Sequence, residues 1–320
     1  MFFNLGYLLG VDGGGTKTQA LIADKNGFII GEGKSGPANE LFDDAECVHG
    51  SIMGAIEEAL SCCGISGEQV TRSVFGVPAA QSLLADSLKT LMPNSEFHFL
   101  GEAPIAFASG SDKSFGILLI AGTGSLSWGR NREGTCTATG GGGAAFGDEG
   151  SGFDLGREAL RSIGKMYDGR GPVTSIASKV CSFLGCNSFD GILSYVYGKQ
   201  YPRSSRSRIA DLAPIVLEAA GEGDMLACQI IESAADELEL MAVTCAQKLG
   251  LLEQELDIVL TGGVLRQGGP LLRQVLLKLQ KSMPRANPIV PKLDPACGAI
   301  ALAAREKEFS GWYQYIFKIE

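Results

Sequence analysis

The sequence predicts an α/β protein made of two similar halves with a cleft between them. Three observations predict it. Short apolar strands alternate with long amphipathic helices along 320 residues, a length for two ordinary domains. A run of strand, Gly/Thr bend, strand, turn and strand occurs twice, offset by about 110 residues. Each copy's bend follows a buried strand, so each half offers one glycine bend to the cleft. The second copy divides the chain into residues 1–113 and 114–320. The last helix, from about residue 296, is a candidate to pack back on the first half.

The elements follow in order. Tyr7–Val11 reads as a buried strand. After the glycines, "QALIAD", the turn "KNG" and "FIIGEG" read as two strands of a meander. Phe42–Cys63 reads as a helix, with Val48, Ile52, Ile56 and Leu60 at spacing four and Gly64 as its stop. "RSVFGV" is a strand, Gln81–Leu91 a helix, "EFHFLG" a strand, and Pro104–Ser109 a short helix. The second copy places strands at Gly116–Ala121 and Leu126–Gly129, with another strand after the "NREG" turn. Arg206–Ala220 and Asp224–Leu249 read as helices, the second capped by Asp224. "LDIVLTGGV" is a buried strand. Helices starting near Pro270 and at "DPACG" complete the chain.

Composition narrows the function. Hydrophobic residues make up 45% and charged residues 20%, as in a globular protein with large cores. The net charge of −9 disfavours nucleic acid and anionic membranes as partners. Nine cysteines without a C-x-x-C pair read as thiols of a reducing, cytoplasmic setting rather than a zinc site. Neither a signal peptide nor an apolar run of about 18 residues is visible. His49 and His98 fall in a helix and a strand, where surface or core roles suit them.

The stretch "LLGVDGGGTKT", Leu8–Thr18, is one residue out of register with a P-loop, because Thr16 stands where that loop has lysine. A P-loop also feeds a helix, and this bend feeds a strand. The Rossmann fingerprint fails the same context test. The physical case for phosphate binding rests on other features. Gly13, Gly14 and Gly15 let the backbone approach a ligand and turn N–H groups toward it. Thr16 and Thr18 add hydroxyls, and Asp12 at the strand end suits Mg²⁺ held through water. The bend Gly122-Thr123-Gly124-Ser125 is placed to clamp the same phosphates, and Gly262-Gly263 to take the nucleoside. A plain glycine-rich turn is the bland alternative for any one bend.

The motifs "GVDGGGTKT", "IAGTGS", "GGGGAAFGDEGSG" and "VLTGGV", in this order and spacing, resemble those of the N-acetylglucosamine kinase and BadF/BadG/BcrA/BcrD-type ATPase family, within the actin, Hsp70 and hexokinase superfamily. The resemblance covers nearly the whole chain. It implies two ribonuclease H-like α/β domains of the actin/hexokinase type, ATP and Mg²⁺ in the interdomain cleft, and a homodimer. It implies that Asp12–Thr16 bind phosphate and position Mg²⁺, and that Gly122–Ser125 bind phosphate with Thr123 near the sugar. "SGPAN" places Asn39 on a sugar hydroxyl, and "GDEG" places Asp148 there beside Glu149. The alternatives are a turn residue for Asn39 and a helix N-cap for Asp148.

Two departures from the family pattern matter. Where the kinases carry a catalytic aspartate, this chain reads "FLGEAP", so Glu102 is the candidate base, with a longer arm. Displacing a base by about 1 Å can cost about a hundredfold in rate. Vertebrate-type kinases also place a tryptophan before "GDEG", where this chain has small residues from Gly140 to Ala145. Glucosamine or another hexose therefore stays open beside N-acetylglucosamine. The leading expectation is an ATP-dependent kinase acting on the 6-hydroxyl of N-acetylglucosamine. The alternatives are a degenerate sugar sensor and an ATPase activator of a dehydratase or reductase, which would need cysteines converging on an iron–sulfur cluster.

Overall fold

A computed structural model describes residues 6–15, 17–38, 44–77, 81–200 and 205–305. The first compact unit is Met1–Ser114 with Arg132–Cys136 and Pro291–Glu320; the second is Phe115–Asn131 with Thr137–Val290.

The first unit is built on strands β1 (Tyr7–Gly13), β2 (Thr18–Ala23), β3 (Ile29–Ser35), β4 (Val70–Gly76) and β5 (Glu96–Phe99), in the order β3-β2-β1-β4-β5. β1 and β2 are antiparallel, as are β2 and β3, whereas β1–β4 and β4–β5 are parallel. Helix α1 (Ala45–Cys63) packs on β3 and β2, where Gly31 and Gly33 have no Cβ to separate helix from strand. A Cβ on Gly33 would lie 2.1 Å from the Ala55 carbonyl oxygen, so only glycine permits this approach. Helix α2 (Gln81–Leu91) connects β4 to β5, and α3 (Glu102–Ala108) follows β5.

The second unit repeats this plan with β6 (Gly116–Ala121), β7 (Ser125–Arg130), β8 (Cys136–Gly140), β9 (Leu256–Thr261) and β10 (Ala286–Ile289). Their order, β10-β9-β6-β7-β8, mirrors that of the first sheet strand for strand. The helices are α4 (Gly152–Tyr167), α5 (Ser175–Leu184), α6 (Phe189–Tyr197), α7 (Ser205–Ala210), α8 (Ala213–Gly221), α9 (Met225–Lys248) and α10 (Pro270–Ser282). The last helix, α11 (Pro295–Ala303), packs on β1, β4 and α3 of the first unit. Its Gly298 lets the two helices touch backbone to backbone, since a Cβ there would fall 1.9 Å from the Ile105 carbonyl oxygen. No described helix is long and apolar enough to cross a membrane.

The helix expected over Arg206–Ala220 is two helices, α7 and α8. Pro214 lacks an N–H and its ring excludes the carbonyl four residues back, so the chain restarts at Ala213. α3 starts at Glu102 rather than Pro104, which puts Glu102 in its first turn.

Candidate active site

The first bend joins β1 to β2 as a tight turn. Gly14 N–H donates to the Lys17 carbonyl at 3.1 Å, and Ala38 N–H donates to the Gly14 carbonyl at 2.9 Å. Gly13 is wedged between Val77 and Ala38, whereas a Cβ on Gly15 would meet nothing within 4 Å. The Thr18 hydroxyl, expected as a ligand donor, is fully buried and donates to the Gly36 carbonyl at 2.8 Å. It ties the bend to the end of β3 instead. Thr16 and Asn39 lie outside the described residues.

Two carboxylates flank this bend. Asp12 sits at the end of β1, half-buried, and Glu102 at the N-terminus of α3. A Cβ on Gly14 would lie 3.3 Å from Glu102 Oε1, so the Glu102 carboxylate stands directly beside the bend. Glu102 is open to solvent on one side and crowded by protein on the others. That crowding, with the negative charge of Asp12, pushes its pKa from the usual 4.5 to about 7. Asp12 rises from 3.8 to about 6, chiefly through burial; Lys17 opposes the rise and Asp294 adds to it. Asp294 immediately precedes α11, which explains why a residue so distant in sequence acts here.

This concentration of negative charge suits a divalent cation. Among the described residues, no three His, Cys, Asp or Glu side chains converge into a metal cage. Mg²⁺ needs no such cage, because it uses one or two carboxylates and keeps waters and phosphate oxygens as its other ligands. Asp12 is a carboxylate of the kind such a site uses.

The second bend joins β6 to β7. Gly122 N–H donates to the Gly124 carbonyl at 2.8 Å, and the start of α4 braces it through Gly152 N–H to the Gly122 carbonyl at 2.7 Å. Thr123 is exposed at the tip. Ser125 donates its N–H to Asp148 Oδ1 at 3.3 Å and its hydroxyl to the Glu149 carbonyl at 2.6 Å. Both Ser125 donors are thus engaged within the protein, and Ser125 holds the bend in shape. Gly262, at φ +109°, follows β9, where a Cβ would fall 2.2 Å from the Ala121 carbonyl oxygen. Only glycine lets the third bend lie against the second; Gly263 is exposed beside it.

Asp148 is buried and, among the described residues, alone of the non-glycine positions has a positive φ, +64°. The N-cap of α4 is Ser151, which accepts from Asp154 N–H, so Asp148 is free of the capping role left open for it. Its Oδ2 instead accepts from Arg206 Nη2 at 2.7 Å. Sequence reasoning missed Arg206, because the pairing spans 58 residues and no local pattern signals it. It also missed Phe146. Gly140 to Gly143 all have φ between +77° and +80°, a left-handed run that only glycine sustains. The chain then turns, Gly147 N–H donating to the Gly143 carbonyl at 2.9 Å, and presents Phe146 outward at 88% exposure, two residues from Asp148.

Glycine bends after the first strand of each sheet, with carboxylates beside them, suit an enzyme that handles phosphate. The family model of the BadF/BadG/BcrA/BcrD ATPase family matches residues 9–303. The chain belongs to the BadF/BadG/BcrA/BcrD ATPase family. A curated family relative from Clostridium acetobutylicum, named N-acetylmuramic acid/N-acetylglucosamine kinase, is 31% identical over 94% of this chain and 99% of that one. Another from Dictyostelium discoideum, named N-acetyl-D-glucosamine kinase, is 29% identical over 94% of this chain and 98% of that one. A solved structure from Chromobacterium violaceum matches with a TM-score of 0.73 at 23% identity, covering 95% of this chain and 100% of that one, and shows the shared fold. Within the BadF/BadG/BcrA/BcrD ATPase family, this chain stands with the ATP-dependent carbohydrate kinases.

Proposed function

We propose that the protein transfers the γ-phosphate of ATP to a hexosamine hydroxyl, with the 6-hydroxyl of N-acetylglucosamine as first choice. The observation that carries this reading is Glu102: a carboxylate 3.3 Å from the Cβ position of Gly14, with a pKa near 7. A base poised near neutrality beside a phosphate bend is what hydroxyl phosphorylation needs. The Glu102 carboxylate accepts the hydroxyl proton as the hydroxyl oxygen attacks the γ-phosphorus, and ADP leaves with the electrons of the broken P–O bond. The bends Gly13 to Gly15 and Gly122 to Gly124, with the Thr16 hydroxyl, bind the phosphate oxygens, using N–H groups other than those of Gly14 and Gly122, which close the turns. Asp12 would hold Mg²⁺ through water, and the ion would supply neutralising charge for those oxygens. Gly262 and Gly263 border the nucleoside.

Asp148, Asn39 and Thr123 hold sugar hydroxyls, and Arg206 holds Asp148 in place. Phe146 supplies the apolar face on which the sugar ring or its N-acetyl methyl rests. The two curated relatives, both named for N-acetylated amino sugars, support this choice of substrate. A coupled ADP-release assay with Mg²⁺ and a panel of N-acetylglucosamine, N-acetylmuramic acid, glucosamine and glucose tests the reading. Sugar-dependent turnover that vanishes on chelating Mg²⁺ is expected. Absence of turnover with every sugar would contradict the reading.

A further inference from the structure

Helix α5 ends in a Schellman turn. Gly185, at φ +64°, is left-handed, its N–H points to the Cys181 and Ser182 carbonyls, and Cys186 N–H donates to the Cys181 carbonyl at 3.0 Å. In this motif the first and last residues of the turn bring their side chains together, and the contact is ordinarily apolar. α1 ends the same way in this protein: Gly64 is left-handed, Ile65 N–H donates to the Leu60 carbonyl, and the paired residues are Leu60 and Ile65. At α5 the same two positions are both cysteines. Both thiols are free and partly exposed, and each feels the other electrostatically. The turn also suits the Cα separation of about 5.5–6 Å that a disulfide prefers.

We propose that Cys181 and Cys186 form a reversible disulfide across the C-terminal cap of α5, a modification site for two-electron oxidants such as hydrogen peroxide. Burial, and then Cys186 itself, push the Cys181 thiol up, so Cys181 stays protonated and Cys186 meets the oxidant first. The Cys186 sulfur attacks one peroxide oxygen; the S–O bond forms, the O–O bond breaks, and the departing hydroxide takes the thiol proton as water. The Cys181 sulfur then attacks the sulfenic sulfur; the S–S bond forms, the S–O bond breaks, and the Cys181 proton leaves with the second water. Two thiols lose two electrons, and one peroxide becomes two waters.

The site fastens the α5–α6 corner. Cys186 packs against Gly191 in the first turn of α6, where a Cβ on Gly191 would lie 2.5 Å from Cys186 Cβ. Both cysteines fall between Lys179 and Lys199, with no lysine or arginine between, so trypsin releases them on one peptide. The full chain is treated with dilute hydrogen peroxide, alkylated, digested and weighed. The expected result is a 180–199 peptide lighter by two hydrogens and unalkylated, which takes two alkyl groups after dithiothreitol. Cys186→Ser and Cys181→Ser each abolish the linkage; Cys181 then alkylates normally in the first, and in the second Cys186 is left as a sulfenic acid that dimedone traps. A native peptide alkylated at both cysteines while other thiols in the chain have oxidised would overturn the proposal. So would either cysteine linked to a different peptide.

Discussion

Glu102 decides most at the scale of single residues. Its pKa is raised in the fold from 4.5 to about 7, so the folded protein holds this proton more tightly than the unfolded chain does. Stability therefore falls as pH rises between those two values, because ionising Glu102 costs more in the fold than in the open chain. Removing the charge reverses this. Glu102→Gln is expected to match the native protein in urea denaturation near pH 4.5 and to exceed it by about 1 kcal/mol at pH 8. The full shift would correspond to about 3 kcal/mol, reduced here because solvent reaches one side of the carboxylate. A variant no more stable than native at pH 8 would contradict a carboxylate whose ionisation the fold opposes. Phe146 makes a separate claim. If the sugar rests on it, Phe146→Ala raises the sugar KM roughly three- to tenfold and leaves kcat near native. A loss confined to kcat would place Phe146 elsewhere in the reaction.

At the scale of elements, contact between α11 and α3 is set by one missing Cβ. Gly298→Ala puts a methyl group 1.9 Å from the Ile105 carbonyl oxygen, and neither backbone can yield without moving a helix. The variant is expected to lose about 1–3 kcal/mol in urea denaturation. Gly221→Ala, at the end of α8, meets nothing within 4 Å, lacks a positive φ and is the matched control, expected to be neutral or slightly stabilising. The same contrast explains what the sequence made legible. Spacing four over Val48–Leu60 with Gly64 behind it marks α1 because periodicity and capping are local. The break at Pro214 was equally local but was overridden by the apolar pattern that continues through it. β10 escaped notice because "ANPI" contains a proline; as the edge of its sheet, the strand tolerates the missing N–H.

Across the whole molecule, the repeat visible in the sequence is a repeat of topology: both sheets share one strand order, and each bend follows the central strand of its sheet. That much was legible because duplicated strands keep their spacing. The partners of the site residues were not. Arg206 reaches Asp148, and Asp294 acts on Asp12, across long stretches of chain that only folding brings together. The proposed role of Glu102 is that of the base of a sugar kinase. Its most direct test is ADP release with N-acetylglucosamine and Mg²⁺, native against Glu102→Ala, with folding of the variant verified by its melting transition. A kcat lower by about 10²–10⁴-fold, with the KM for ATP little changed, is the predicted result. Sugar-dependent turnover at the native rate in Glu102→Ala would contradict it.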